Sequence, residues 1–142
     1  SDFVPFRALA NMPAAMTAHV VFSAIDASNP ASTSEVVTRK IIRGDIGFDG
    51  LLMSDDLSMK ALAGPMRNRA EAVIAAGSDV ALHCNGDLTE MRAAAEGVPM
   101  LSGAALARFV RAFAVTQKQE AYDEDIAVRH LAALMAQKAM LS

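Results

Sequence analysis

The chain has 142 residues, enough for one domain with a buried core, and 53% of them are apolar. Thirteen basic against sixteen acidic residues leave a net charge of −3, without the Lys/Arg block that nucleic acid or an anionic membrane surface calls for. A single cysteine, Cys84, excludes an intrachain disulfide, and no run approaches the ~20 apolar residues of a spanning helix.

The N-terminal SDFVPFRALANMP has no basic start followed by an apolar run, so it does not read as a signal peptide, and a cytoplasmic location is the expectation. It begins with Ser rather than Met, which is compatible with a further segment upstream. After a helical turn around FRALA, residues 15–19 read as a strand, followed by a loop over 20–32 rich in Asp, Ser, Asn and Pro. Thr33-Ser34-Glu35 starts a helix whose apolar face is Val36, Val37, Ile41 and Ile42, and Gly44 and Gly47 end it. Residues 50–54 form the second strand, and 57–63 a loop or short helix. Residues 68–76 are an Ala-rich helix closed by Gly77, and 79–83 are the third strand. Helices follow over 88–95 and 102–117, the latter with Leu106, Phe109, Val110 and Phe113 on one face. A last amphipathic helix over 123–141 turns Ile126, Leu131, Leu134 and Met135 inward, and the nine methionines read as core filler. Alternating strands and helices imply parallel strands with right-handed crossovers, hence an α/β fold.

Ligands of such folds sit at the carboxyl ends of the strands. Each strand here ends in polar residues: Thr17 and His19; Ser54, Asp55 and Asp56; His83, Cys84, Asn85 and Asp87. Asp55 and Asp56 are neighbours and point to opposite sides of an extended backbone, so only one can face a site. A single carboxylate nucleophile therefore fits better than an acid/base pair, as in glycoside hydrolysis with retention, where a separate acid protonates the leaving oxygen. His19 could donate a proton, although a strand-end histidine is more often a hydrogen-bonded structural group. His83 beside Cys84 lacks the second ligand pair of a metal site. Cys84, among small apolar neighbours, reads as a buried, inert thiol. His130 sits on the tail helix, at the surface or in packing.

GFDGLLMSDDLSMKAL, over residues 47–62, resembles the nucleophile signature of glycoside hydrolase family three. Its SDDLSM form is similar to that of the bacterial β-N-acetylglucosaminidases (β-hexosaminidases) of peptidoglycan recycling. MTAHVVFSAID with NPAS, over 16–32, and AGSDVALHCNGDL, over 76–88, agree in the same order. The resemblance covers most of residues 2–117.

It implies a (β/α)₈ TIM barrel and an exo-acting cytoplasmic enzyme. Such an enzyme removes terminal N-acetylglucosamine from turnover products such as anhydro-muropeptides by a retaining mechanism. It also implies that Asp55 is the nucleophile and that Ser54 and Asp56 support it. His19 and Asn85, as polar residues at the ends of the neighbouring strands, are expected beside them in the substrate site. No cofactor or metal is implied. Only about three βα units are present, which the resemblance equates with strands six to eight of the barrel followed by C-terminal helices, so residues 1–142 read as a partial barrel domain. The family's Lys-His and Arg sugar-binding motifs and its His/Asp acid/base dyad have no counterpart here. Activity is then expected only with the N-terminal half of the barrel. The alternative is an inactive fragment that persists as a structural or oligomerising module through its open edges.

Overall fold

The computed structural model of the chain describes residues 2–117 and 123–139. Three parallel strands, β1 (Ala14–Met16), β2 (Leu51–Asp56) and β3 (Val80–Leu82), form one sheet in the order β1-β2-β3. Helix α1 (Val4–Ala8) precedes the sheet, α2 (Met66–Ala76) and α3 (Leu88–Glu96) flank β3 in sequence, and α4 (Gly103–Thr116) and α5 (Glu124–Ala139) follow. The α/β expectation holds.

β1 is shorter than its apolar run and stops before Thr17. Thr17 N–H still donates to Met53 O, but the carbonyls of Ala18 and Val20 accept from Ser32 and Ala31 and draw the chain away from β2. β2, paired on both sides, instead runs two residues beyond the expected end and takes both aspartates into the strand. β3 is likewise trimmed, leaving His83 just beyond its end.

The expected helix from Thr33 divides into a 3₁₀ turn (Ala31–Thr33) and a π-helix (Val36–Asp45). Ile46 N–H bonds Ile41 O five residues back. Val37, Ile41 or Ile42, and Ile46 recur every four to five residues, a longer period than the 3.6 of an α-helix, and all line one apolar groove. Ser34 Oγ accepts from Val37 N and donates to Asp26 Oδ2, tying the helix start to the preceding loop.

The core lies between the sheet and the α2–α3 pair: Leu57, Leu62, Ala70, Val73 and Ala94 are buried together, with Ala81 of β3 against them. α2 and α3 approach so closely that a Cβ on Gly97 would lie 2.3 Å from Arg67 O, so the glycine that ends α3 is required by contact. At the N-terminal ends of the strands, the buried Asp79 carboxylate accepts from Leu52 N–H at 2.9 Å, from Arg43 at 2.7 Å and from Arg108 at 3.1 Å. Arg43 also donates to the carbonyls of Phe48 and Gly50, and Arg108 reaches Asp49. β2, β3, the π-helix and α4 therefore meet at one carboxylate.

The apolar face of α4 is open: Phe109 and Phe113 stack at 6.0 Å, and Leu106, Phe109, Val110 and Phe113 are all exposed. Two expectations about packing fail. On α5, Ile126, Leu131, Leu134 and Met135 are each more than half exposed rather than inward. Residues 140–141 of that expected helix lie outside the described residues. Several methionines are exposed too, Met100 to 90%, so they are not simply core filler. The physical reason is common to all: three βα units offer no second surface against which these side chains can be buried.

Asp79→Ala leaves a largely buried Arg43 guanidinium and the Leu52 N–H without their acceptor. A loss of ~3–5 kcal/mol in denaturant-derived stability is expected, and a change within error would remove Asp79 from its central place. The Asp26 carboxyl is lowered to about 2 by hydrogen bonds from Ser34 Oγ, Asn29 Nδ2 and Ser28 N–H. Its folded value lies below the unfolded one, so its stabilisation is complete above ~4 and is lost as pH falls toward ~2. Acid unfolding of Asp26→Asn should be flatter than that of the parent across this window.

Candidate active site

The centre of the site is an irregularity in β2. Between the pairs Met53↔Val80 and Asp56↔Leu82, β2 advances one residue more than β3, which places a bulge at Ser54–Asp55. The bulge takes the Leu82 N–H out of the ladder, and the buried Ser54 hydroxyl replaces the missing carbonyl. Ser54 Oγ accepts from Leu82 N at 3.0 Å and donates to Asp55 O at 2.8 Å. Bulges of this kind re-aim a side chain beside a site, and here the residue concerned is Asp55. Its Oδ1 accepts from Asp56 N–H at 2.8 Å, and Oδ2 has no hydrogen-bond partner among the described residues. A half-buried carboxylate with one oxygen held and one oxygen free can attack an electrophilic carbon.

Asp56 is fully engaged. Its Oδ1 accepts from Ser58 N–H and Cys84 N–H, each at 3.0 Å, and its Oδ2 from Ser58 Oγ. Burial alone would raise this carboxyl. The hydrogen bonds from Ser58 and Cys84 outweigh it and hold Asp56 below the usual aspartate value. Asp56 thus ties the β2–α2 loop to the end of β3, a supporting role at the site rim.

His19 bridges the other side. Its Nε2 lies 3.0 Å from Asp56 O and its Nδ1 2.6 Å from Ser32 Oγ. A carbonyl only accepts, so Nε2 carries the proton, and in the neutral ring Nδ1 accepts from the Ser32 hydroxyl. Both ring nitrogens are taken, which places His19 as a brace between strand ends rather than a free proton donor.

At the end of β3, Asn85 Oδ1 accepts from Asp87 N–H and its Nδ2 donates to Glu90 Oε2 at 2.7 Å, leaving one amide hydrogen uncommitted. His83 Nε2 lies 3.1 Å from the same Glu90 oxygen. Asp87 caps α3 through Glu90 N–H. Cys84 is exposed, contrary to the expected burial, because β3 ends before it and the turn carries it out of the sheet. Local desolvation, Asp56 and Asp55 push its thiol up, so it is kept protonated. Among the described residues, no three His, Cys, Asp or Glu side chains cluster as metal ligands. His130 is exposed on α5.

Ser54, Asp55, Asp56 and His19 therefore meet at one rim, and Asn85 joins them through Cys84 N–H. Sequence reading missed the partners Ser58, Ser32 and Glu90. Of these, Ser58 had a usable signal, since Asp-x-Ser commonly folds into a turn with the aspartate accepting two residues on. Replacing Ser54 by Ala leaves the part-buried Leu82 N–H without its acceptor. A stability loss of ~1–3 kcal/mol is expected in urea titration, together with faster exchange of the Leu82 amide. An unchanged amide would show that the bulge does not need the hydroxyl.

Residues 1–131 match the model of the glycosyl hydrolase family 3 N terminal domain. A beta-hexosaminidase of Alkalilimnicola ehrlichii is 46% identical over 89 residues, 60% of this chain and 25% of that protein. One of Chromobacterium violaceum is 50% identical over 88 residues, 59% of this chain and 24% of that protein. The crystal structure of native NagZ from Neisseria gonorrhoeae superposes with a TM-score of 0.67 at 32% identity, covering 84% of this chain and 38% of that one. The chain thus spans about a quarter of the curated relatives it matches. The match extends over nearly the whole chain and takes in all three strand ends, and the chain belongs to glycosyl hydrolase family 3, in its N-terminal domain.

Proposed function

We propose that this chain supplies the nucleophile segment of a retaining β-N-acetylhexosaminidase. The carrying observation is Asp55: a carboxylate on a bulge at the carboxyl end of a central parallel strand, with one oxygen held and the other free. In the proposed reaction Asp55 attacks the anomeric carbon of a terminal N-acetylglucosamine and the aglycone oxygen departs with a proton. Water then hydrolyses the glycosyl-enzyme ester. Ser54 fixes the aim of Asp55 through the bulge, and Asp56 and His19 keep the adjoining loops in register. The acid that protonates the leaving oxygen comes from outside the described residues, since His19 has both nitrogens engaged.

The three strands correspond in this reading to the sixth to eighth of a (β/α)₈ barrel. An apolar groove of about 390 Å³ beside β1, lined by Phe6, Met12, Met16, Phe22 and Ile41 among others, supports an incomplete layer structure there. The N-terminal half of the barrel would cover it. N-Acetylglucosaminyl-anhydromuropeptides in the cytoplasm are the proposed substrates, following the SDDLSM signature, and neither nucleic acid nor a membrane is a proposed partner. The same groove and the exposed α4 face favour the second reading, an inactive fragment that self-associates.

The test is hydrolysis of a chromogenic N-acetyl-β-glucosaminide by the chain completed with the N-terminal half of a relative's barrel. Turnover is expected in the complemented protein and should fall at least ~10³-fold in Asp55→Ala. Turnover retained in that variant would exclude Asp55 as nucleophile. A stable oligomer of the chain alone, with no turnover after complementation, would favour the second reading.

A further inference from the structure

The His83–Glu90 pair is not accounted for by the proposed reaction. The His83 side chain is only 8% exposed, and its Nδ1 is buried without a hydrogen-bond partner among the described residues. Its Nε2 faces the Glu90 carboxylate, which only accepts, so Nε2 carries a proton, and Nδ1 is a polar atom removed from water. Buried polar atoms left unpaired in this way are uncommon and need a reason. The surroundings suggest one. Glu90 Oε2 takes both the His83 ring and the Asn85 amide, while Asn85 Oδ1 holds Asp87 N–H. The turn between β3 and α3 is therefore closed on itself by side chains from both of its ends. What it presents outward is the Cys84 N–H, which donates to Asp56 Oδ1 at 3.0 Å.

We infer that His83 and Glu90 are positioning residues. Through Asn85 they fix the β3–α3 turn so that Cys84 N–H locks Asp56, and with Asp56 the strand segment that carries Asp55. The charged and titratable groups around His83 are Glu90 of α3 and Asp56 of β2, with Asp87 beside Glu90 and the Cys84 thiol next in the chain. The Glu90 carboxyl is lowered from its ordinary value by the His83 contact first and by Asn85 second, consistent with one shared oxygen serving both. The consequence for catalysis rests on the proposal that Asp55 is the nucleophile. The coupling from Glu90 to Asp56 does not.

The test is carboxyl and amide NMR on the isotopically labelled chain, comparing the parent with Glu90→Ala and Glu90→Gln. Glu90 is 44% exposed in its side chain, so both substitutions are tolerable for folding. In Glu90→Ala the Asp56 carboxyl is expected to titrate closer to an ordinary aspartate and the Cys84 amide proton to move upfield as its bond lengthens. Glu90→Gln keeps an acceptor for both donors and should restore the parent Cys84 signal. An Asp56 titration and a Cys84 amide that are both unmoved in Glu90→Ala overturn the inference, because the turn would then hold itself. In a complemented, active protein Glu90→Ala should lower kcat ~10-fold with KM within ~2-fold, a split that simple loss of fold does not produce. Absence of turnover in the complemented parent would count against the proposed function while leaving the NMR result on positioning to be judged separately.

Discussion

A single carboxylate organises the lower end of this sheet. Asp79 stands at the start of β3, nearly out of reach of water, and joins the β2 backbone to two arginines from different helices. Buried charges of this kind are tolerated only when they are paired and hydrogen-bonded, and here the three donors come from three parts of the chain: β2, the π-helix and α4. Removing any one element leaves a charge or an N–H without a partner. The parallel order of the strands and the attachment of α4 both depend on that arrangement. Leucine and valine packing supplies the bulk of the core energy but would permit sliding, whereas the Asp79 geometry permits one register.

The upper end of the same strands is built differently. There the hydrogen bonds converge on Asp56, Ser54 and His19, and each ties a loop to a strand end rather than a strand to a strand. Of the two adjacent aspartates on that rim, Asp55 keeps one carboxylate oxygen without a hydrogen-bond partner among the described residues. Fixed surroundings and one unsatisfied acceptor are what a nucleophile requires, since a carboxylate fully bound by its own protein is stabilised against attack. The division between a satisfied lower rim and a selectively unsatisfied upper rim follows the usual separation of stability and chemistry in α/β folds. The bulge at Ser54–Asp55 lets both exist on one six-residue strand.

The exposed apolar side chains of α4 and α5 and the groove beside β1 form a third feature. In an isolated small domain such area would lower solubility, because contiguous apolar patches favour association. The groove reaches Thr17 and Ala18 at the carboxyl end of β1, so what covers it would lie next to the rim that carries His19.

Much was legible in the residues themselves. Leu51-Leu52-Met53 running into carboxylates marks a buried parallel strand, and the glycines and prolines punctuate the helices, because local propensity and turn chemistry act over a few residues. The importance of the SDD segment was legible for the same reason, with adjacent aspartates unable to face the same side. The inward placement of Leu131 and Met135, the burial of Cys84 and the extent of β1 were not legible. They depend on what packs against each element, and periodicity records an apolar face without recording its partner. The bulge was also invisible, since an extra residue in a strand is defined only against its neighbour. The sequence by itself therefore determined the α/β class and the order of the elements, and it singled out Asp55 as a candidate, all from features that are local or pairwise along the chain. Only the tertiary structure decided that Ser54 replaces a lost ladder bond, that His19 is a brace, and that His83 and Glu90 meet, because these contacts join residues whose separation in sequence carries no signal of their distance in space.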